Sequence, residues 1–164
     1  KEEFQQIIAA VEDALKEINQ YRSDEGKTLE NDFKMRIESI SELLKKVVKI
    51  DPERVEHVRE RLQKAVADLK EEVDQNRFEQ ELIYYLEKYD ITEEKVRLQN
   101  HLDYFSKTLA SSDSNGKKLG FISQEIGREI NTIGSKANYA PMQQIVVQMK
   151  DELEKIKEQA LNVL

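Results

Sequence analysis

Apolar residues recur every three or four positions along almost the whole chain, which is the spacing of an amphipathic helix. No stretch alternates apolar and polar residues as a half-buried strand would. The pattern therefore predicts an all-α protein without a sheet. In the first long segment the apolar stripe consists of Phe4, Ile7, Ile8, Val11, Leu15, Ile18, Leu29, Phe33, Ile37, Ile40, Leu44 and Val47.

Breaks in this pattern predict where the helices end. The stretch RSDEGKT (22–28) interrupts the stripe, and Gly26 suits a helix end. Two helices of about 20 residues, each roughly 30 Å long, would then form an antiparallel hairpin or arm. Asp51 followed by Pro52 predicts the start of a new helix, because aspartate caps helices and proline fits the first helical position.

Later turn signals divide the rest of the chain. SSDSNG (111–116) is composed of turn residues and predicts a loop. Gly134 predicts the end of the helix that follows it, and Pro141 the start of the last helix. We therefore expect a long helical hairpin or arm over residues 1–75 and a helical bundle over residues 76–164.

Composition narrows the class of protein further. The 164 residues include no cysteine, and 36% of them are charged. No apolar run approaches the roughly 20 residues that span a membrane, so we expect a soluble, cytoplasmic protein. The chain begins without methionine and already in helical register, which suggests a fragment of something longer.

The net charge of −7 is concentrated in one segment. Residues 71–94 hold nine acidic and two basic residues, whereas the remainder is neutral. No global positive field would attract nucleic acid, so RNA or DNA binding requires a local basic patch. The acidic block is typical of a solvated helical face, and a carboxylate site for a divalent cation is the alternative.

A first polar set lies beside an apolar stripe near the middle of the chain. Asp90, Glu94, Arg97 and His101 are spaced so that the last three share one helical edge. Each of Arg97 and His101 directly precedes a predicted core leucine. This pattern fits an ion pair with a boundary histidine, and it also fits a reachable acid–base site.

A second polar set lies in the stretch QEIGREINTIGSKA (124–137). Glu125 and Glu129 are four residues apart and could converge on one cation. Arg128 could hold a phosphate through two N–H groups. If Gly134 ends the helix, Ser135 and Lys136 lie on exposed backbone that can bind an anion. A capped helix end with surface ion pairs is the alternative.

Other catalytic schemes find little support in the sequence. There is no cysteine nucleophile, and His57 and His101 are the only histidines. Neither a phosphate-binding GxxxxGK[ST] loop nor a zinc-ligand spacing is present. Tyrosines do not predict a base-stacking platform, because such residues more often lie in a core or at its boundary. They are Tyr84, Tyr85, Tyr89 and Tyr104.

Three stretches resemble the C-terminal signature of the YicC/YloC-like endoribonuclease family. They are YRSDEG (21–26), DITEEKVRLQNHLDYF (90–105) and GKKLGFISQEIGREINTIGSKANYAPMQQIVVQMKDELEKIKEQALNVL (116–164). The resemblance implies a bacterial, cytoplasmic, metal-dependent endoribonuclease. It also implies that the family's N-terminal α/β domain is absent from this chain, which would be the C-terminal portion only. It also implies a homo-oligomer, a hexamer in the family, and association with a degradative exoribonuclease to which small RNA is steered.

The resemblance also implies roles for individual residues. Gly127 and Gly120 depart from the family pattern, which usually has asparagine and aspartate there, and Lys157 replaces an arginine. The hypothesis is that Glu125 and Glu129 hold Mn²⁺ or Mg²⁺ and act in catalysis with Glu94 and His101. The expected RNA contacts are Arg97, Arg128, Asn131, Ser135 and Lys136.

Two competing functions use the same residues differently. A non-catalytic RNA-binding or adaptor module would keep the basic residues and use the carboxylates only for ion pairs. A purely structural oligomerisation bundle would explain the amphipathic arm but not the density of polar residues in 124–137. Incubation of labelled RNA with a divalent metal and with a chelator separates the endoribonuclease from the adaptor, because only the endoribonuclease would cleave the RNA.

Overall fold

The computed structural model describes residues 2–68, 74–111 and 115–160. In chain order these form α1 (Glu2–Asp68), α2 (Gln75–Lys88), α3 (Thr92–Leu109), α4 (Gly116–Lys136) and α5 (Ala140–Ala160). No strand occurs in these ranges, so the all-α prediction is confirmed. The predicted loop at 111–116 falls between α3 and α4, although residues 112–114 lie outside the described ranges.

The prediction of a hairpin at Gly26 is wrong, because α1 is one continuous helix of 67 residues, about 100 Å long. A glycine inside a helix costs only about 1 kcal/mol relative to alanine, and a gap in an apolar stripe does not require a gap in the helix. Neighbouring polar side chains bond within the helix: Gln20 donates to Asp24, and the Thr28 hydroxyl donates to the Asp24 carbonyl at 3.0 Å.

The predicted helix start at Asp51 and Pro52 is also wrong, since Pro52 lies inside α1. Asp51 does not cap a new helix. It instead accepts hydrogen bonds from Arg54 Nε at 2.8 Å and from Lys95 Nζ at 2.6 Å. Asp51 and Arg54 are both buried. This ion cluster ties the middle of α1 to the beginning of α3.

The core lies where the second half of α1 packs against α3 and α5, and α4 packs against the same two helices. Phe33 of α1 meets Phe105 of α3 edge to face, with ring centroids 5.8 Å apart. Arg36 Nη1 donates to Glu152 Oε2 at 2.9 Å and joins α1 to α5. The division of the chain at residue 75 stays a prediction. The largest fully buried side chains are Phe33, Phe105, Ile40, Ile91, Leu98, Leu102, Ile126, Ile130, Ile133, Met142, Met149 and Ile156.

The first part of α1 leaves the core altogether. Every described side chain from residue 3 to residue 28 is exposed. We call this segment the arm. Its apolar stripe faces no other described part of the chain, and its exposed members are Phe4, Ile7, Ile8, Val11, Leu15, Ile18 and Tyr21.

Candidate functional site

Both polar sets lie on one antiparallel helix pair, α3 and α4. Lys136, the last residue of α4, donates from Nζ to Glu94 Oε1 in the first turn of α3 at 2.7 Å. At the opposite end of the pair, the Lys118 ammonium of α4 lies 5.1 Å from the Tyr104 ring centroid of α3. These two contacts fix the register of the helices and place Glu94 and Lys136 at the seam between them.

The first turn of α3 is held by hydrogen bonds to Asp90. Asp90 Oδ1 accepts from the Thr92 hydroxyl at 2.7 Å and from the Thr92 backbone N–H at 3.1 Å. The hydroxyl contact is the main reason why the pKa of Asp90 is lowered. Lys136 also donates to the Asp90 carbonyl at 2.9 Å, so its ammonium binds α3 at two points.

Glu94 is a buried carboxylate with one satisfied and one unsatisfied oxygen. It is 5% exposed, and its Oε2 has no hydrogen-bond partner among the described residues. The sequence suggested Arg97 as its partner, but Arg97 pairs with Glu93 on the exposed side of α3. A buried acceptor without a donor is costly for a fold to keep, which makes Glu94 Oε2 a candidate for contact with a ligand or a proton.

Helical spacing from the Glu94–Lys136 contact puts His101 and Glu129 at similar heights along α3 and α4. His101 follows Glu94 by seven residues, and Glu129 precedes Lys136 by seven residues, which is about two helical turns in each case. The Glu94–Lys136 contact therefore places them on matching sides of α3 and α4. Glu129 is 4% exposed and makes no hydrogen bond or ion pair with a described residue, while His101 is half-buried.

Glu125 differs from Glu129 in exposure and in its partner. Its carboxylate is partly exposed and accepts from Arg128 Nη1 at 3.1 Å. Within the described ranges, no three His, Asp or Glu side chains come close enough together to hold a metal ion. Glu125 and Glu129, one helical turn apart, stay the two carboxylates that the sequence predicts as cation ligands. This number fits Mg²⁺, which is commonly bound through one or two carboxylates with water and substrate phosphate completing its shell.

Several predicted RNA contacts line a shallow groove on the outer face of α4. Its volume is about 520 Å³. Of the residues predicted to contact RNA, Arg128, Asn131 and Ser135 lie here, but Arg97 and Lys136 do not. The lining residues are Gln124, Gly127, Arg128, Asn131, Thr132, Ser135 and Lys157.

Gly127 shapes the groove floor, which the sequence could not reveal. A Cβ atom at this position would lie 3.1 Å from Leu153 Cδ2 and 3.7 Å from Lys157 Nζ of α5. A Cβ atom would thus crowd Leu153 but only touch the Lys157 ammonium, which lines the same groove as Arg128. From the sequence alone, Lys157 is only a replacement of the family's arginine, because nothing in the linear order places α5 beside residue 127.

The prediction that Gly134 ends the helix is wrong, since α4 continues through Lys136. The Ser135 hydroxyl donates to the Thr132 carbonyl at 3.0 Å, and the backbone there is helical rather than an open anion-binding loop. A Cβ on Gly134 would lie 3.0 Å from Val146 Cγ1. This glycine therefore serves the close approach of α4 and α5, not a helix terminus.

Comparison with known proteins places these helices in a family. A family model described as "Endoribonuclease YicC-like, C-terminal" matches residues 47–164. The chain belongs to the YicC-like endoribonuclease family. This confirms the resemblance noted in the sequence, and the matched range contains every candidate site residue named above.

Two relatives of the YicC-like family match almost the whole chain. One is the probable endoribonuclease YicC of Clostridioides difficile (strain 630), with 40% identity over 157 residues. The other is the probable endoribonuclease YicC of Haemophilus influenzae, with 33% identity over 159 residues. The matches cover 94% and 97% of this chain but 54% and 55% of the relatives. The chain thus spans about half the length of the curated relatives it matches.

Hydropathy adds one further observation to the family assignment. In the part of the chain that the structure describes, no helix combines the length and the apolar character needed to cross a bilayer.

Proposed function

We propose that the protein containing this YicC-like chain cleaves RNA endonucleolytically in the cytoplasm, and that α3 and α4 supply part of its cleavage site. The two relatives are both named probable endoribonucleases. The observation that carries the proposal is that α4 has a buried carboxylate on one side and an exposed basic group on the adjoining side. Glu129 is buried and has no hydrogen-bond or ion-pair partner among the described residues, while Arg128 lines the adjoining outer groove.

The basic side of this arrangement suits RNA phosphates. Arg128 and Lys157 approach the same groove from α4 and α5, and Asn131, Thr132 and Ser135 add neutral hydrogen-bonding groups. A phosphate in the groove would compete with Glu125 for Arg128. It would also compete with Glu154 for Lys157, whose Nζ lies 3.7 Å from the Glu154 carboxylate. Release of Glu125 from Arg128 would free that carboxylate for other contacts.

The acidic side suits a divalent cation and proton transfer. Glu125 and Glu129 would hold Mn²⁺ or Mg²⁺, and the ion, when bound, would polarise the scissile phosphate. Glu94 Oε2 and His101 are the candidates to take a proton from the attacking oxygen, whether that oxygen belongs to water or to the 2′-hydroxyl. Further copies of the chain could complete the site, and the exposed stripe of the arm favours such assembly, as does the hexamer that the resemblance implies.

The test is cleavage of labelled RNA by the full-length protein with Mn²⁺, with Mg²⁺ and with chelator. The double variant Glu125→Gln/Glu129→Gln should lose at least 100-fold in cleavage rate while its helical circular dichroism is unchanged. Glu38→Gln/Glu42→Gln is a matched control, because these exposed glutamates are also four residues apart but lie on α1. The control should cleave normally.

Two results would reject the proposal. Full metal-dependent cleavage by Glu125→Gln/Glu129→Gln would remove both residues from the cation site. Binding of RNA that is insensitive to chelator, with no cleavage under any condition, would favour the adaptor that steers RNA to an exoribonuclease.

A further inference from the structure

A second surface at the far end of the α3–α4 pair combines exposed aromatic rings with lysines. We call it the tip patch, and it consists of Tyr104 and Lys107 on α3 and Lys117, Lys118 and Phe121 on α4. All five side chains are exposed. The patch is separate from the α4 groove and from the seam that holds Glu94 and Glu129.

Phe121 is the most unusual member of the patch. Its side chain is 69% exposed on the outer face of α4, although a phenylalanine gains about 1.5–3 kcal/mol when it is fully buried. Tyr104 is 46% exposed, and the Lys118 ammonium lies over its ring. The two aromatic residues therefore lie on adjoining faces of the helix pair, next to a cation.

The lysines of the patch have no carboxylate partner in the part of the chain that the structure describes. Lys107, Lys117 and Lys118 form no ion pair with any described residue, in contrast to Arg128 and Lys157 in the groove. Elsewhere the chain carries excess negative charge, with a net charge of −7 overall. An incoming polyanion would therefore not have to displace a carboxylate of the described residues to reach these lysines.

The patch also lies in line with the proposed cleavage site. Lys118, Phe121, Gln124 and Arg128 follow one another at spacings of three and four residues, so they share one face of α4. Phe121 and Arg128 are seven residues apart, or about 10 Å along the helix axis. A strand with bases on Phe121 would therefore reach the groove within its next few nucleotides.

From these observations we propose that the tip patch binds single-stranded RNA, with bases stacked on Phe121 and Tyr104 and phosphates held by the three lysines. This inference rests on the proposed function and adds to it that the RNA substrate is single-stranded. Unpaired bases expose the faces that aromatic rings contact, whereas duplex RNA keeps them stacked inside the helix.

The test measures binding of the 164-residue chain to an unstructured RNA oligonucleotide that carries 2-aminopurine, in chelator so that metal-dependent cleavage does not occur. Phe121→Ala should weaken binding by about five- to a hundredfold and reduce the quenching of 2-aminopurine. Phe121→Trp should restore both. Lys118→Gln should weaken binding and lower the slope of log affinity against log salt by about 0.7.

Tyr84→Ala is the matched control for the aromatic effect. Tyr84 is 56% exposed on α2 and lies 6.0 Å from the Lys88 ammonium, but the surrounding segment is strongly acidic. This variant should bind RNA as the unchanged chain does. All variants should keep their helical circular dichroism, since the substituted side chains are exposed.

Three results would overturn the inference: unchanged affinity in Phe121→Ala, an equal loss in Tyr84→Ala, or equal Phe121-dependent binding of duplex RNA. A change in self-association of Phe121→Ala without a change in RNA affinity would also overturn it, since the patch would then be a protein interface. Binding that depends on Phe121 in a protein that never cleaves RNA would support the tip patch and reject only the proposed endoribonuclease function.

Discussion

The two halves of α1 carry similar apolar stripes, but only the second half is buried. Leu15 in the arm is 53% exposed, whereas Leu44, in the part of α1 that packs into the helical bundle, is 3% exposed. Both leucines belong to series with spacings of three and four residues. The comparison teaches that amphipathic spacing identifies a helix and its apolar face. Which element packs against that face depends on segments far away in the sequence.

The polar residues of the two halves differ in the same way. In the bundle, Arg36 reaches Glu152 and Asp51 reaches Lys95, so charged groups join α1 to other helices. In the arm, the Lys16–Asp13 pair lies within one helix and is highly exposed. Such an exposed pair contributes little to stability, whereas a buried cluster is costly to disrupt.

The largest expected contrast between the halves comes from one leucine in each. Leu44→Ala should lower the free energy of unfolding by about 2–5 kcal/mol, because it leaves a cavity in the core. Leu15→Ala should change it by no more than about 0.5 kcal/mol, since this side chain is already largely in water. Urea denaturation at low protein concentration measures both. Equal losses would show that another element covers the arm.

A smaller contrast, of opposite sign in the two regions, comes from replacing glycine with alanine. Gly134→Ala should destabilise the bundle by about 1–3 kcal/mol, because its Cβ would lie 3.0 Å from Val146 Cγ1. Gly26→Ala should stabilise the arm helix by about 0.5–1 kcal/mol, because no atom lies within 4 Å of the new Cβ.

Urea denaturation checks the first variant and amide hydrogen exchange across residues 20–30 checks the second. Gly120→Ala provides a control on α4, since its Cβ would also meet no atom within 4 Å. Faster amide exchange around residue 26 in Gly26→Ala would contradict the continuous helix and favour the helix end predicted at that position.

The smallest expected effect is a decrease in the free energy of unfolding of the bundle at low pH. Hydrogen bonds from Lys155 and Arg36 lower the pKa of Glu152 below its ordinary value of 4.5. A carboxylate with a lowered folded-state pKa stabilises the fold above its unfolded pKa, and this contribution is lost as pH falls through the folded pKa. The loss should amount to about 0.2–1 kcal/mol below pH 4.5.

Urea midpoints between pH 3 and pH 6 test this expectation. Glu152→Gln should make the decline toward low pH shallower, and Arg36→Gln should add little further flattening because it removes the same interaction. A steeper decline in Glu152→Gln would show that the carboxylate does not stabilise the bundle in its ionised form.

The sequence predicted the all-α fold and most core positions, because apolar spacing responds directly to helix periodicity. It failed at Gly26, Pro52 and Gly134, each of which was interpreted as a helix boundary. In each case tertiary or local contacts make a helix-weakening residue tolerable. Gly134, for example, is needed for the approach of Val146. A local turn signal cannot reveal what packs against it.

The candidate site was predictable in part, for similar reasons. The spacing of Glu125, Arg128 and Glu129 predicted that they lie together on one helix, because positions three and four residues apart are neighbours on a helix surface. It could not show that Lys136 is tied to Glu94, or that Lys157 approaches Gly127, since both depend on packing between helices. The roles of the two glutamates in metal binding stay a prediction.

The length of α1 has a mechanical consequence. Residues 2–28 continue the bundle's own helix outward by about 40 Å without a joint, so the arm is a lever fixed at Leu29. A rotation of the bundle by about 10° would move the far end by about 7 Å, more than one helical turn of travel. Any molecule held at that end would therefore experience small reorientations of the bundle as large displacements.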